Sequence, residues 1–210
     1  MNFLNRLHWF SNKRLYWAIG LLLPFALFIN LGAIPNNLHT DESRRALVAW
    51  EMIVSGNYLV PTIHGVNYFN KPPLYNWAIA LSMQLFGPTN LAVRIPTIAS
   101  VLLLVWVVYK ESRNRIGTQN AVIAALAVLV SGRILFYDSF LGLMDIGFAA
   151  LVFWSISLLY KGLVEKQNSA LYLSYTLMAL AYLMKGLPAL VFQGLSLIAI
   201  VIISKDWKRL

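Results

Sequence analysis

Long apolar runs separated by short polar segments dominate the chain. A transmembrane helix needs about 20 mostly apolar residues to cross the ~30 Å hydrocarbon core of a bilayer. Six runs approach or reach that length, so each is predicted to be a transmembrane helix. They cover residues 15–34, 92–109, 120–137, 142–160, 169–184 and 187–204. The pattern therefore predicts an all-α protein, a polytopic membrane helical bundle.

The first long polar stretch, residues 35–73, contains a helical pattern of its own. Apolar side chains recur there at Ala46, Ala49 and Ile53, which predicts a short amphipathic helix over 42–54 that lies near the membrane interface. The next apolar run, Leu74–Phe86, is only roughly 20 Å long as a helix. We therefore expect an external loop over 35–91 with interfacial helices, inside a single transmembrane domain covering 1–210.

Composition supports a membrane protein and excludes several other classes. The chain is 59% hydrophobic and 12% charged, whereas a soluble domain is about 45–50% apolar and about 25% charged. It has no cysteine, which excludes disulfides, thiolate nucleophiles and cysteine-based zinc sites.

The net charge of +9 comes from basic residues placed beside the ends of the apolar runs. Cytoplasmic loops are rich in lysine and arginine, so this placement predicts that both termini are cytoplasmic. The loop at 138–145 and Lys185 then fall outside. No basic stripe with interleaved aromatic residues is present, so nucleic-acid binding is not expected. The residues that set the orientation are Arg6, Lys13, Arg14, Lys110, Arg113, Arg115, Lys161, Lys166, Lys205, Lys208 and Arg209.

The predicted topology gathers ionisable side chains on the outer side. Ionisable groups within or at the ends of transmembrane helices are functional hypotheses by default. The candidates are Asp41, Glu42, Glu51, Lys71, Asp138, Asp145 and Lys185.

Each candidate also has a structural interpretation. Asp41 and Glu42 suit the first turn of a helix, or they supply a general base or a metal ligand. Lys71 precedes two prolines that fix a turn, and a lysine on such a rigid loop suits a phosphate. Asp145 lies deeper in an apolar run and needs a partner, which is a cation, a metal or a lysine. Lys185 either extends to the interface or contacts a ligand.

Several motifs occur in an order that matches a known family. Asp41-Glu42-Ser43-Arg44, Ser55-Gly56-Asn57-Tyr58 and Lys71-Pro72-Pro73-Leu74-Tyr75 resemble the first external loop of the lipid-linked-sugar glycosyltransferases of the GT-C fold. This group includes the aminoarabinose transferases and the protein O-mannosyltransferases. Further motifs match at 85–87, 92–96, 143–145 and 184–188, so that the resemblance covers residues 41–188.

The resemblance implies transfer of a sugar from a polyprenyl-phosphate carrier to a lipid, glycan or protein acceptor, on the outer side of the plasma (inner) membrane. By the same resemblance, Asp41 is the catalytic acid/base and Asp145 is the second acidic residue of the site. Lys71 and Lys185 are expected to contact phosphate. Glu42, Arg44 and Tyr68 are expected to complete the substrate-binding set.

Two departures from the family pattern bear on these expectations. Family members often carry Glu, a candidate metal-associated residue, before the Lys-Pro-Pro motif, where this chain has Asn70. The expectation is therefore that no cofactor is certain, with a divalent metal as a possibility. Members are also about twice as long or more, so the chain is expected to be truncated or partial. The alternative is a non-catalytic membrane protein of the same fold that binds a polyprenyl-phosphate lipid or a partner subunit.

Overall fold

The computed structural model describes residues 40–138 and 140–204. The predicted first span at 15–34 and both chain ends lie outside the described residues. In chain order, the elements are α1 (Thr40–Ser55), β1 (Thr62–Ile63), β2 (Val66–Asn67), α2 (Leu74–Phe86), α3 (Asn90–Leu129), a π-helical turn (Ile134–Asp138), α4 (Asp145–Leu163), α5 (Asn168–Lys185) and α6 (Pro188–Ser204). The prediction of an all-α bundle is confirmed, with one short antiparallel hairpin, β1–β2, added to it.

The two short helices of the first polar region form where the pattern predicts them. Helix α1 carries Asp41 and Glu42 in its first turn, where negative charge interacts favourably with the positive end of the helix dipole. It ends where the Ser55 hydroxyl donates to the Glu51 carbonyl at 2.7 Å. Helix α2 begins directly after Pro73 and ends before Gly87. The interfacial location of both helices stays a prediction.

The prediction for the two spans after α2 is wrong in its boundaries. A loop was expected near 110–115, and a second span over 120–137. Instead, α3 remains helical through 110–116 and is interrupted at Gly117, whose φ of 80° lies in the left-handed region that glycine adopts without strain. The chain reverses direction at this point, as shown by Leu129, after Gly117, packing in one cluster with Val101, before it.

The helix that follows Gly117 is also shorter than expected. It ends at Leu129; the chain turns at Val130 and Ser131, and Gly132 is already helical ahead of the π-helical turn. Serine followed by glycine, as at Ser131-Gly132, is a common turn signal. The apolar residues on both sides of it nevertheless made 121–137 resemble one continuous span.

Helices α4 and α5 make the most extensive contact between described helices, and α6 packs against both of them less closely. Helix α4 begins three residues later than predicted, and a two-residue turn separates α5 from α6, as expected. A buried polar cluster joins the three helices. Ser155 Oγ lies 2.9 Å from both the Ser174 carbonyl oxygen and Gln193 Oε1, and its single proton can donate to either one. Such interhelical hydrogen bonds stabilise helix association where the surroundings are apolar.

Two described helices, α3 and α4, are long and apolar enough to cross a membrane, and α6 is a shorter apolar helix. Helix α6 also exposes large apolar side chains, including Leu195 and Ile198, as a lipid-facing helix does. The number of six spans stays a prediction.

Helices α3 and α4 begin side by side and run in the same direction. Near their starts, Arg94 of α3 and Gly142, just before α4, share one carboxylate, that of Glu42. About 25 Å farther along, at 1.5 Å per residue, Glu111 of α3 meets Lys161 of α4. We call the first region the site end and the second the distal end.

Candidate functional site

Helix α1 brings three charged side chains to the site end. Asp41, Arg44 and Arg45 lie within one turn, at spacings of three and four residues that place them on neighbouring positions of the helix surface. Arg44 Nη1 contacts Asp41 Oδ1 at 2.9 Å, and both side chains remain substantially exposed. This pair holds the Asp41 carboxylate in place without burying it.

The segment between α1 and α2 brings Tyr68 and Lys71 to the same region, and Glu51 stabilises its hairpin. The Glu51 carboxylate accepts hydrogen bonds from Thr62 Oγ1 at 2.5 Å, from the His64 amide at 2.6 Å and from the Gly65 amide at 3.3 Å. These bonds, the one from Thr62 above all, lower the pKa of Glu51 below its ordinary value. Sequence reasoning assigned Glu51 no specific role, because its partners lie 11 or more residues away.

The segment before α4 is fixed from both sides, and Asp145 follows it directly. The Gly142 amide donates to Glu42 Oε1 at 2.9 Å, and Thr97 Oγ1 donates to the Leu143 carbonyl at 3.2 Å. Gly142 also lies close to α3: a Cβ there would meet Val93 Cγ1 at 2.7 Å. Only glycine allows this approach, so the start of α4 is held in a fixed position.

Asp145 follows an apolar run, where a carboxylate needs a partner, and that partner is Lys185. Lys185, the last residue of α5, donates to Asp145 Oδ1 at 2.5 Å. The Lys185 ammonium also lies 5.2 Å from the centroid of the Phe148 ring, which is a cation–π distance. Of the partners considered from the sequence, the structure thus supplies a lysine.

These elements enclose one cavity of about 300 Å³. It draws its lining from α1, the segment before α2, the start of α4 and the end of α5. Six of the seven residues predicted for the site line it, namely Asp41, Arg44, Tyr68, Lys71, Asp145 and Lys185; the other lining residues are Arg45, Asn70, Leu143 and Met144.

Glu42 is the predicted substrate-binding residue that the structure does not bring to the cavity. Its carboxylate is buried and pairs with Arg94 Nε at 2.8 Å, in addition to the Gly142 amide. With both oxygens turned toward α3 and the segment before α4, Glu42 connects three parts of the chain. The structure thus corrects the expectation for Glu42: its carboxylate joins α1 to α3 and to the segment before α4, and it does not line the cavity.

Arg45 is the cavity residue that sequence reasoning missed. It is 3% exposed, and its Nη1 has no hydrogen-bond partner among the described residues. Burial lowers the pKa of Arg45, against the opposing attraction of Asp41, yet an arginine remains charged in any protein environment. The signal available in the sequence was its position four residues after Asp41.

The cavity carries excess positive charge. Four cations and two carboxylates line it, which leaves a net charge of +2. Arg44 pairs with Asp41 and Lys185 pairs with Asp145, whereas the described residues offer neither Arg45 nor Lys71 an ion pair. A cavity of this kind favours an anionic ligand.

Asp138 lies near this region but is not one of the residues that line the cavity. Its side chain is buried and accepts from Arg133 Nε at 3.0 Å. Burial raises the pKa of Asp138 despite that hydrogen bond.

For metals, no group of three or more histidine or carboxylate side chains suited to an ion occurs in the described ranges 40–138 and 140–204.

Comparison with protein families gives a match over residues 70–210, to the family described as dolichyl-phosphate-mannose-protein mannosyltransferase. The match includes Lys71, Asp145 and Lys185. It covers about two thirds of the chain.

Curated relatives include undecaprenyl phosphate-alpha-4-amino-4-deoxy-L-arabinose arabinosyl transferases. One from Proteus mirabilis is 27% identical over 204 residues, which is 91% of this chain and 36% of that protein. One from Edwardsiella ictaluri is 30% identical over 210 residues, which is 94% of this chain and 37% of that protein. The chain thus spans little more than a third of the length of these relatives.

Two solved structures have the same fold. The crystal structure of ArnT from Cupriavidus metallidurans bound to undecaprenyl phosphate matches with a TM-score of 0.81 and 23% identity, over 93% of this chain and 37% of that one. The apo structure of the same protein matches with a TM-score of 0.77 and 24% identity, over 92% and 36%. At these identities, the match concerns the fold alone.

Proposed function

The chain belongs to the family of dolichyl-phosphate-mannose-protein mannosyltransferases, and from that membership we propose that it takes part in sugar transfer from a polyprenyl-phosphate carrier. The acceptor is a lipid, a glycan or a protein on the outer side of the membrane. The observation that carries the proposal is the cavity, which combines two carboxylates with a net positive charge. Relatives named as arabinosyl transferases and a neighbour bound to undecaprenyl phosphate support the lipid-phosphate donor.

In the proposed reaction, an acceptor hydroxyl oxygen attacks the anomeric carbon of the sugar. A new carbon–oxygen bond forms as the bond between that carbon and the phosphate oxygen breaks. Asp41 takes the hydroxyl proton as the general base, because it is the more exposed of the two carboxylates, at 60% against 39% for Asp145. The paired Arg44 orients it. A general base contributes about 10²–10⁴ to such a rate.

The bond electrons leave with the phosphate, so negative charge on the lipid phosphate grows in the transition state. Lys71 meets this charge directly, since it lines the cavity and pairs with no carboxylate among the described residues. Lys185 adds a second contact while it keeps Asp145 in place. Cations that are already oriented toward developing charge stabilise the transition state more than the ground state.

The proposed location is the plasma (inner) membrane, with the cavity on the outer side and both termini in the cytoplasm. The distal end carries basic side chains at Lys110, Arg113, Arg115, Lys161 and Lys166, which supports a cytoplasmic distal end. A membrane-impermeant thiol reagent should label Asn57→Cys in intact cells and should not label Asn114→Cys. Labelling of both positions would contradict this orientation.

The alternative is a chain that binds the carrier lipid without transferring sugar, alone or with a partner subunit. It is favoured by one observation, namely that both cavity carboxylates are already paired, Asp41 with Arg44 and Asp145 with Lys185. The two proposals share the phosphate site and differ in turnover.

The test is transfer of a labelled sugar from a polyprenyl-phosphate donor by the purified chain in lipid nanodiscs. We expect transfer that Asp41→Asn lowers by about 10²–10⁴ and that Glu165→Gln, at an exposed carboxylate between α4 and α5, leaves unchanged. Binding of the lipid without transfer by the unmodified chain would favour the non-catalytic alternative. Near-normal transfer by Asp41→Asn would exclude Asp41 as the general base.

A further inference from the structure

Arg45 stands apart from the other cations of the cavity because its burial is nearly complete. It is 3% exposed, whereas Arg44 beside it keeps 41% of its side chain exposed and pairs with Asp41. A buried cation without a counter-charge costs several kcal/mol. Arg45, which bears this cost, is also one of the residues that line the cavity.

The shape of the group matters as much as its charge. A guanidinium presents its N–H donors in a planar fork that matches phosphate oxygens two at a time, whereas a lysine ammonium acts as a point charge. Arg45 and Lys71 line the same cavity from two different elements, α1 and the segment before α2. Together they offer two positive charges that no cavity carboxylate neutralises.

We propose that Arg45 and Lys71 together form a receptor for a phosphate monoester dianion, and that Arg45 makes the site prefer this form over a phosphodiester. The inference rests on the proposed function for the source of the phosphate, which is the carrier lipid. In the donor, the phosphate is a diester with one negative charge. After the sugar leaves, it is a monoester with a charge of about −1.5 to −2 near neutral pH.

The preference has a direct consequence for the reaction. The second negative charge appears only as the bond to the sugar breaks, so a receptor with two cations binds the product-like transition state more tightly than the donor. Differential binding of this kind raises kcat, whereas equal binding of both states lowers only KM. Arg45 therefore acts on turnover, and it also makes the released carrier lipid an inhibitor.

The test compares two ligands on the purified full chain in nanodiscs: a short prenyl phosphate, and the same compound with its phosphate methylated to a diester. We expect the unmodified chain to bind the monoester about tenfold more tightly, as one additional charge-assisted hydrogen-bond pair implies. In Arg45→Gln, the two affinities should become nearly equal, and the affinity for the diester should change by less than about threefold.

Two further variants make the test specific. Arg113→Gln removes an exposed arginine at the distal end, away from the cavity, and should keep the tenfold preference. Arg45→Lys keeps the charge and loses the fork, so it should keep part of the preference; it also provides a second folded variant if Arg45→Gln does not fold. Equal affinities in the unmodified chain, an unchanged preference in Arg45→Gln, or no binding of either ligand would each overturn the proposal.

The outcome is separable from that of the proposed function. Preference for the monoester without sugar transfer would remove the proposed catalysis and leave the receptor intact. Sugar transfer without any preference would do the opposite.

Discussion

The site end and the distal end of the bundle use the same kinds of residues with different results. At the distal end, Glu111 is buried and Lys161 Nζ lies 2.6 Å from its Oε2, an ion contact in which neither Glu111 oxygen accepts an aligned hydrogen bond from the described residues. Lys110 lies over the Trp106 ring at 4.6 Å and Arg115 over the Tyr160 ring at 4.9 Å. Each of these cations has a partner within the fold.

At the site end, Arg44 and Lys185 are paired with carboxylates, but Arg45 and Lys71 line a cavity of about 300 Å³ and form no ion pair with any of the described residues. A matched pair stabilises packing, because its charges are satisfied by the protein itself. Charge left unpaired beside open space is satisfied only by a ligand or water. The difference between the two ends is therefore in pairing and space rather than in residue type.

The largest expected effect is a loss of sugar transfer on substitution of a carboxylate at the site end, with no such loss at the distal end. Asp41→Asn should lower sugar transfer by about 10²–10⁴ and leave thermal unfolding nearly unchanged, because asparagine accepts no proton and the exposed pair of Asp41 with Arg44 adds little stability. Glu111→Gln should leave the transfer rate of the folded protein unchanged. Transfer assays with thermal unfolding on both variants measure this. Near-normal turnover in Asp41→Asn would make Asp41 a structural residue.

The second prediction concerns the two buried ion pairs, one at each end. Breaking a buried pair by removing one partner costs about 3–5 kcal/mol, so Glu42→Gln should destabilise the protein by about that amount. It should also lower transfer, since the Gly142 amide loses its charged acceptor and the start of α4 loosens. Glu111→Gln should destabilise less, because Lys161 is 20% exposed and can reach water. Equal transfer by both variants would contradict the positioning role of Glu42.

The third prediction uses a glycine in close contact at each end. A Cβ at Gly142 would meet Val93 Cγ1 at 2.7 Å, and a Cβ at Gly162 would meet the Leu171 Cβ at 2.9 Å. Alanine at either position should destabilise by about 1–3 kcal/mol through overpacking. Only Gly142→Ala should also lower kcat, because it displaces the segment before Asp145. A similar loss of kcat in Gly162→Ala would show that packing anywhere in the bundle controls the rate.

The smallest expected effect concerns the hairpin before Lys71. The folded-state pKa of Glu51 is lowered, so its contribution to stability is fully present above the unfolded pKa of about 4.3 and is lost as the pH falls through the folded value. Hydrogen exchange of the His64 and Gly65 amides, with the intrinsic pH dependence removed, should therefore rise at acidic pH. Glu51→Gln should exchange rapidly at every pH. The same pH response in both would exclude Glu51 as its cause.

Sequence patterns predicted the local features well. The bounds of α2 agree with the prediction, and α1 differs by two residues or fewer at each end, because helical spacing and proline act over a few residues. The span predicted at 120–137 failed because hydropathy averages over the turn at Val130 and Ser131.

The features that sequence reasoning missed depend on distant contacts. The Glu42 carboxylate meets Arg94 and Gly142, which lie 52 and 100 residues away, so nothing local separates it from Asp41. Arg45 gains its significance from burial, which the spacing of charges does not report. The resemblance to a family named six residues that the structure brings to one cavity, and the structure then distinguished these residues from Glu42.

The most direct measurement of the central claim is photo-crosslinking of the purified chain in nanodiscs with a polyprenyl phosphate whose photoreactive group lies next to the phosphate. Peptide mapping should find the label at the cavity, in α1 around residue 45, in the segment around 71 or at the start of α4. Unlabelled polyprenyl phosphate in excess should suppress it. Labelling confined to the distal end, around residues 106–116 and 160–166, would contradict the account.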